Sequence, residues 1–388
     1  MIIKNGLVFT EKNTFEKLDI KIEGERIVKL AKQLDKNSSD DVIDAGGRRI
    51  IPGLVDIHFH GAVGHDFCDG DIEGLKAISK YEAENGILAI CPATMTYNEE
   101  ILKKVVENAR KFQVWQSELM EGDKSLYASL VGINMEGPFI SPDKLGAQNP
   151  TYLSKPDVAM FRRLNEYSGN LIKLIDIAPE VEGALDFIDE CKDEVNISIA
   201  HTKACYETAV EAYKRGARHL THLYNAMPGM MHREPGPILA AMEAGAEIEL
   251  IADLIHSHPA MVRLAFKMHG PEHMILISDS MEATGLADGQ YSLGGQAVTK
   301  KGKVARLTEH GDTIAGSVTN LYDCMKTAIT EAGIGISEAV MASTINPARS
   351  IGIDENYGSI EAGKYANLII IEDNLDIRTI INRGHYHA

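Results

Sequence analysis

The chain has 388 residues, 44% hydrophobic and 24% charged, a globular composition long enough for one large domain and a smaller one. Its 56 acidic against 39 basic residues leave a net charge of -17, which argues against nucleic acid or anionic membrane as a partner and demands a local cation for any anionic ligand. The five scattered cysteines form no CxxC pair, no apolar run reaches a membrane span, and the N-terminus carries no signal-peptide pattern, so the expectation is a reduced, soluble, cytoplasmic protein.

The first fifty residues alternate apolar and polar positions in the segments MIIKNGLVFT, LDIKIEGERIVKLA and DDVIDAGGRRIIPG. Turns are expected at Asn5-Gly6, Glu23-Gly24 and Gly46-Gly47, and the pattern predicts small antiparallel strands with one solvated face. From Ile51 onward, apolar runs of about six to eight residues alternate with longer amphipathic stretches, the rhythm of repeated βα units. The expected strands are IPGLVDI, ILAICPAT, LVGINME, LIKLIDIAPE, NISIAH, HLTHL, IELIAD and MILISD, with helices such as IEGLKAISKYEAEN and EEILKKVVENARKFQVWQSEL between them. Eight such strands over about 230 residues match the count and length of a (β/α)8 barrel. ADGQYSLGGQAVTKKGKVARL then reads as a β-hairpin insertion, LYDCMKTAITEAG and SEAVMASTI as helices, and YGSIEAGKYANLIIIEDNLDIRTIINRG as a return to alternating strands. The expected architecture is α/β: a (β/α)8 TIM-like barrel over residues 52–354 and a small β-sandwich domain built from both termini, residues 1–51 and 355–388.

His58 and His60 lie two apart at the end of the first barrel strand, so they share a face. An HxH pair alone is weak evidence for a metal. Its weight comes from the other strand ends: Glu136 ends the third strand, His201 the fifth, His222 the sixth and Asp279 the eighth. In this architecture the carboxyl ends of the strands form the face on which active sites are built. Imidazole and carboxylate donors suit zinc, iron or manganese, whereas magnesium and calcium call for oxygen alone. Glu136, His201 and His222 could supply the three protein ligands of an open site, and His58 and His60 a second site bridged by Glu136. Asp279 beside a metal-activated water could serve as general base and then as acid toward a leaving amine.

The PG-x-x-D-x-H-x-H pattern of PGLVDIHFHG resembles the amidohydrolase superfamily. Within it the segments NMEGPFIS, AHTKA, THLYNAM, HREPG, ISDSMEATG and IAGS resemble the branch that deacetylates N-acetylated amino-sugar phosphates, and the likeness runs in order along nearly the whole chain. The resemblance implies hydrolysis of the acetamido group of N-acetylglucosamine 6-phosphate to glucosamine 6-phosphate and acetate, with one or two divalent transition-metal ions, zinc or iron. It implies Glu136, His201 and His222 as ligands of the principal metal and Asp279 as the catalytic acid/base. It further implies Ala147, Gln148, Asn225, Ala226, His256 and Ser317 on the sugar phosphate, and Arg233 reaching the phosphate from the neighbouring subunit of a homodimer. Some members lack the strand-1 histidine pair and work with one metal; here both are present. Many place a histidine where this chain has Gln148, whose amide can donate a hydrogen bond but cannot become cationic.

Other residues read more plainly. Asp56 is as well explained by strand packing as by metal ligation, and His65 and His219 read as surface or core polar groups. His385 and His387 read as a solvated tail. Two other functions compete. Dihydroorotases, hydantoinases and dipeptidases often bridge two metals with a carboxylated lysine ending the fourth strand, and LIDIAPE has none. A catalytically dead barrel scaffold would be expected to have lost ligands, and all are present here.

Overall fold

The alternating segments at the chain ends become strands because each buries one face. The computed structural model describes residues 1–35 and 41–387, with the backbone alone for residue 387. Residues 36–40 and 388, inside the expected terminal domain, lie outside the described residues. Phe15–Glu23 pairs antiparallel with Ile2–Phe9 and with Arg26–Ala31. Val42–Asp44 and Arg49–Pro52, however, run parallel to Ile2–Phe9, because Val42 starts again beside Ile2 rather than folding back from its end. Asn5-Gly6 is a bulge instead of the expected turn: the register slips between Ile3 and Gly6, and the Asp19 carboxylate accepts the displaced Asn5 N–H at 2.9 Å.

The tail returns as expected. Leu368–Ile371 pairs antiparallel with Arg49–Pro52, and Ile377–Asn382 with Leu368–Ile371. His385–His387 is an edge strand of this sheet and not a solvated tail, since Arg383 and Gly384, both with positive φ, form a tight reversal that pairs it with Ile377–Asn382. Together these strands make one eight-stranded sheet from both chain ends. Its own core holds Ile3, Val8, Ile20, Ile22, Ile50, Leu368, Ile370 and Ile381.

The apolar runs form parallel strands buried on both faces, as their lack of alternation requires. Leu54–Asp56, Ile87–Ile90 and Ser129–Leu130 form one parallel sheet. Ile133–Met135, Ile172–Ile177, Asn196–Ile199, His219–Leu220, Glu247–Ile251 and Met274–Ile277 form a second. The expected third strand is thus broken at Val131 and Gly132, and its two halves serve different sheets. Backbone hydrogen bonds from Val131 to Ile90 (2.9 Å) and from Asn134 to Pro92 (3.0 Å) tie the sheets at that edge. At the other edge Asp279 N–H donates to His58 O (2.9 Å) and His60 N–H to Ser280 O (2.7 Å). The result is a curled parallel sheet in a mixed α/β fold.

Helices between the strands begin where side chains satisfy their first N–H groups: Asp71 caps Ile72–Glu84 and Asn98 caps Glu99–Glu118. The expected hairpin insertion has a third strand, giving an antiparallel meander of Gly289–Leu293, Gln296–Lys301 and Val304–Leu307. Leu293, Val298, Ala305 and Leu307 pack with Met95 and Met281, which seats the meander beside the carboxyl ends of the parallel strands. Among the described residues, no helix is long and apolar enough to cross a membrane.

Candidate metal centre and active site

The strand ends named from sequence converge. His201, His222 and Asp279 each follow a strand with φ of 41°, 29° and 50°, a left-handed backbone that costs a non-glycine residue about 1–3 kcal/mol and holds only where neighbours enforce it. Each is tied down through its backbone. His201 O accepts from Ser141 N–H at 2.9 Å, and His222 O from Asn225 N–H at 3.0 Å. Asp279 donates to His58 O and accepts from Ser317 N–H at 2.7 Å. The turn lifts each side chain off its strand and into a shared space.

Glu136 is the hub. Its Oε1 lies 3.0 Å from His201 Nε2, 3.3 Å from His222 Nε2 and 3.5 Å from His58 Nε2; its Oε2 lies 3.4 Å from His60 Nε2. His60 Nε2 is also 3.2 Å from Asp279 Oδ1. All six side chains are buried. Burial opposes ionisation of Glu136, yet His58, His201 and His222 around it hold its carboxyl well below the usual carboxylate range. Burial likewise opposes ionisation of Asp279, and His60 and His58 overcome it.

Two triads can each hold an ion: Glu136 with His201 and His222, and Glu136 with His58 and His60, so that one carboxylate belongs to both. Their chemistry fits a divalent transition metal. His201 Nδ1 donates to the Lys144 carbonyl at 2.8 Å, which leaves its Nε2 as a lone pair facing the Nε2 of His222 at 3.0 Å. His58 Nε2, fully buried, has no hydrogen-bond partner among the described residues. Converging lone pairs and an orphaned buried nitrogen are what a bound cation satisfies.

A cavity of about 270 Å³ opens over this cluster, lined by Ala147, Gln148, Asn225, Ala226, His256 and Asp279 among others. Gln148 is locked: its Oε1 accepts from Thr96 N–H at 2.7 Å and its Nε2 donates to Glu136 Oε2 at 2.6 Å. His256 Nδ1 meets Asp253 Oδ2 at 2.8 Å. Ser317 stands behind the cavity lining. Gly316 lines the cavity in its place, while the Ser317 hydroxyl turns inward to the Ser278 carbonyl at 2.6 Å and its N–H braces Asp279. Arg233 stands exposed outside the lining, and among the described residues no Lys or Arg lines the cavity.

Asp56 takes the packing role: it accepts from Ser278 Oγ at 2.6 Å and from His58 N–H at 3.2 Å, and burial pushes its pKa up to about 7. His219 is a fully buried polar group and His65 is half-buried in a short ribbon. Sequence reasoning missed Glu249 and Asp253. Glu249 accepts from His58 and Asp253 from His256. The available signal was an acid inside or directly after the apolar run IELIAD, where burial demands a partner.

The model of the amidohydrolase family matches residues 49–385. The chain is 34% identical over 388 residues to N-acetylglucosamine-6-phosphate deacetylase of Bacillus subtilis (strain 168), covering 99% of this chain and 96% of that one. It is 30% identical over 349 residues to N-acetylgalactosamine-6-phosphate deacetylase of Escherichia coli O157:H7, covering 88% of this chain and 89% of that one. A solved structure of a mutant N-acetyl-D-glucosamine-6-phosphate deacetylase from Mycobacterium smegmatis, in complex with N-acetyl-D-glucosamine-6-phosphate, matches with a TM-score of 0.90 at 28% identity, covering 100% of this chain and 98% of that one.

Proposed function

The chain belongs to the amidohydrolase family, and from that premise we propose that it hydrolyses the acetamido group of N-acetylglucosamine 6-phosphate, releasing acetate and glucosamine 6-phosphate in amino-sugar catabolism. One observation carries the reading: five metal-ligating side chains converge through Glu136 within reach of Asp279, beneath a cavity of about 270 Å³. The two parallel sheets are read as one (β/α)8 barrel over residues 52–354, and the terminal sheet as a small sandwich of residues 1–51 and 355–388, in a cytoplasmic enzyme.

Glu136, His201 and His222 would hold the principal ion, zinc or iron, and His58 and His60 would complete a second site. A divalent ion there supplies Lewis-acid polarisation of the amide carbonyl and a more acidic water. Asp279, ionised and aimed by His60, takes the proton of the attacking water and delivers it to the sugar nitrogen, which departs as the amine while the acetyl group leaves as acetate. His256, with Nδ1 bound to Asp253, offers Nε2 to the sugar, and Asn225 and the Ala226 backbone offer amide groups. Gln148 acts chiefly by fixing Glu136, because its amide is already engaged there.

The substrate's phosphate needs a cation that the cavity lacks, and Arg233 is exposed with its guanidinium unengaged among the described residues. That supports a homodimer in which each protomer's Arg233 serves the other's site. The deciding experiment is acetate release from N-acetylglucosamine 6-phosphate, its unphosphorylated form and N-acetylgalactosamine 6-phosphate, before and after chelation and metal add-back. Metal-dependent turnover that prefers the phosphorylated glucosamine supports the proposal. No turnover by fully metallated protein overturns it, and preference for the galactosamine epimer moves the substrate to that of the Escherichia coli relative.

A further inference from the structure

Glu249 lies on Glu247–Ile251 with its side chain wholly buried, a costly place for a carboxylate unless it is fully engaged. Two hydrogen bonds reach its Oε2, from His58 Nδ1 at 2.9 Å and from the backbone N–H of His222 at 3.2 Å. His219 Nε2 lies 3.2 Å from Oε1 as an ion-pair contact without hydrogen-bond geometry. One side chain therefore touches a member of each metal triad: the ring of His58 and the main chain of His222.

An ionised carboxylate can only accept, so the proton of neutral His58 sits on Nδ1. The Nε2 lone pair is then left facing Glu136, where the ring has no other partner. The Asn134 side-chain nitrogen lies farther from the same Nδ1, at 3.3 Å, and donates to the Ile57 carbonyl at 3.5 Å. Glu249 is itself held from behind. Ser350 Oγ and Glu247 Oε2 lie 3.1 and 3.3 Å from His219 Nδ1, which aims His219 Nε2 at Glu249. Glu247, His219, Glu249 and His58 thus form a chain along the inner face of the strands, ending at the centre.

We propose that Glu249 is the positioning residue that fixes the tautomer and orientation of His58 and so makes the His58–His60–Glu136 triad able to hold a second divalent ion. The inference rests on the metal-centre reading above. Without the carboxylate, His58 is free to carry its proton on Nε2 and turn away from Glu136. The Glu136–His201–His222 triad keeps its own orienting bond, from His201 to the Lys144 carbonyl. Loss of Glu249 therefore weakens one ion far more than the other.

The test is a titration of chelator-stripped protein with zinc alone against a chromophoric competitor, read as ions per chain and the affinity of each. Wild type is expected to bind two. Glu249→Leu should weaken one of them roughly 10–100-fold and the other far less. Glu249→Gln, which keeps an acceptor for His58 Nδ1, should recover most of the loss. Where Glu249→Leu does not fold by circular dichroism, Glu249→Asp, with its carboxylate withdrawn by one methylene, carries the test. Adding Glu249→Leu or Glu249→Asp to His58→Gln should change nothing further. Two wild-type affinities in Glu249→Leu, or in Glu249→Asp where it carries the test, equal weakening of both ions, or an additive double variant overturns the proposal. Wild type binding a single ion overturns it alone, whereas wild type binding none also removes the metal-centre reading.

Discussion

Two unlike layers of side chains lie along the same parallel strands. Val55, Ile57, Ala89, Leu174, Ile251, Ile275 and Ile277 pack with Ala348 and Ile351 into an apolar plug. His58, Glu136, His201, His222 and Asp279 form the polar centre. The boundary is abrupt, since Ile57 precedes His58 directly and Ile277 lies two residues before Asp279. On neighbouring strands Thr221 Oγ1 donates to Asp176 at 2.8 Å and meets Ser198 Oγ at 2.6 Å, a polar group with its own hydrogen bonds. The plug is filled by volume, whereas the centre holds buried charge on left-handed backbone, so stability from the first permits strain in the second.

If that division is real, the two layers should fail differently. The largest effect is expected at the centre. Asp279→Asn should lower kcat on the order of 10³-fold while the bound metal, counted by elemental analysis, stays constant. Loss of metal with an unchanged rate per bound ion would break the assignment. In the plug, Leu174→Ala should cost about 3 kcal/mol in urea unfolding and leave zinc affinity where it was. A parallel fall in metal affinity would mean that the layers are not separable.

His269 sharpens the comparison from outside both layers. It is buried with neither ring nitrogen bonded among the described residues, and burial, helped by His273, depresses its pKa to about 4. The unfolded chain therefore takes up a proton that the folded chain refuses as pH falls from about 6.5 toward 4, and stability is lost across that window. His269→Phe should remove about 2–3 kcal/mol of the difference in unfolding free energy between pH 7 and pH 4.5. An unchanged difference would reject the buried neutral imidazole. The smallest effect concerns the cation that the centre lacks. Arg233→Ala should raise KM for the phosphorylated substrate roughly tenfold and leave the unphosphorylated one unaltered. Equal changes for both would place Arg233 away from the phosphate.

The candidate centre was legible because its residues occupy one repeated grammatical position, the last residue of an apolar run. His58, His60, Glu136, His201, His222 and Asp279 were all found that way. The position of Ser317 behind the lining was not legible, because one residue decides which side of a loop faces the cavity, and Gly316 holds that place. The hairpin insertion gained a third strand, and Asn5-Gly6 became a bulge, because local turn signals do not say whether a neighbour fills the other edge. Glu249 went unseen since its partners lie 27 and 191 residues away.

By itself, then, the chain's linear order determined the alternation of strand and helix, the dry and polar ends of each strand, and the residue types at the centre. Those follow from periodicity and side-chain chemistry, which are local. Only the tertiary structure decided that Glu136 is shared by two triads, that the broken third strand serves two sheets, and that a buried glutamate joins His58 to His222. Those depend on how distant strands align in register, and a shift of one residue would turn every inward side chain outward.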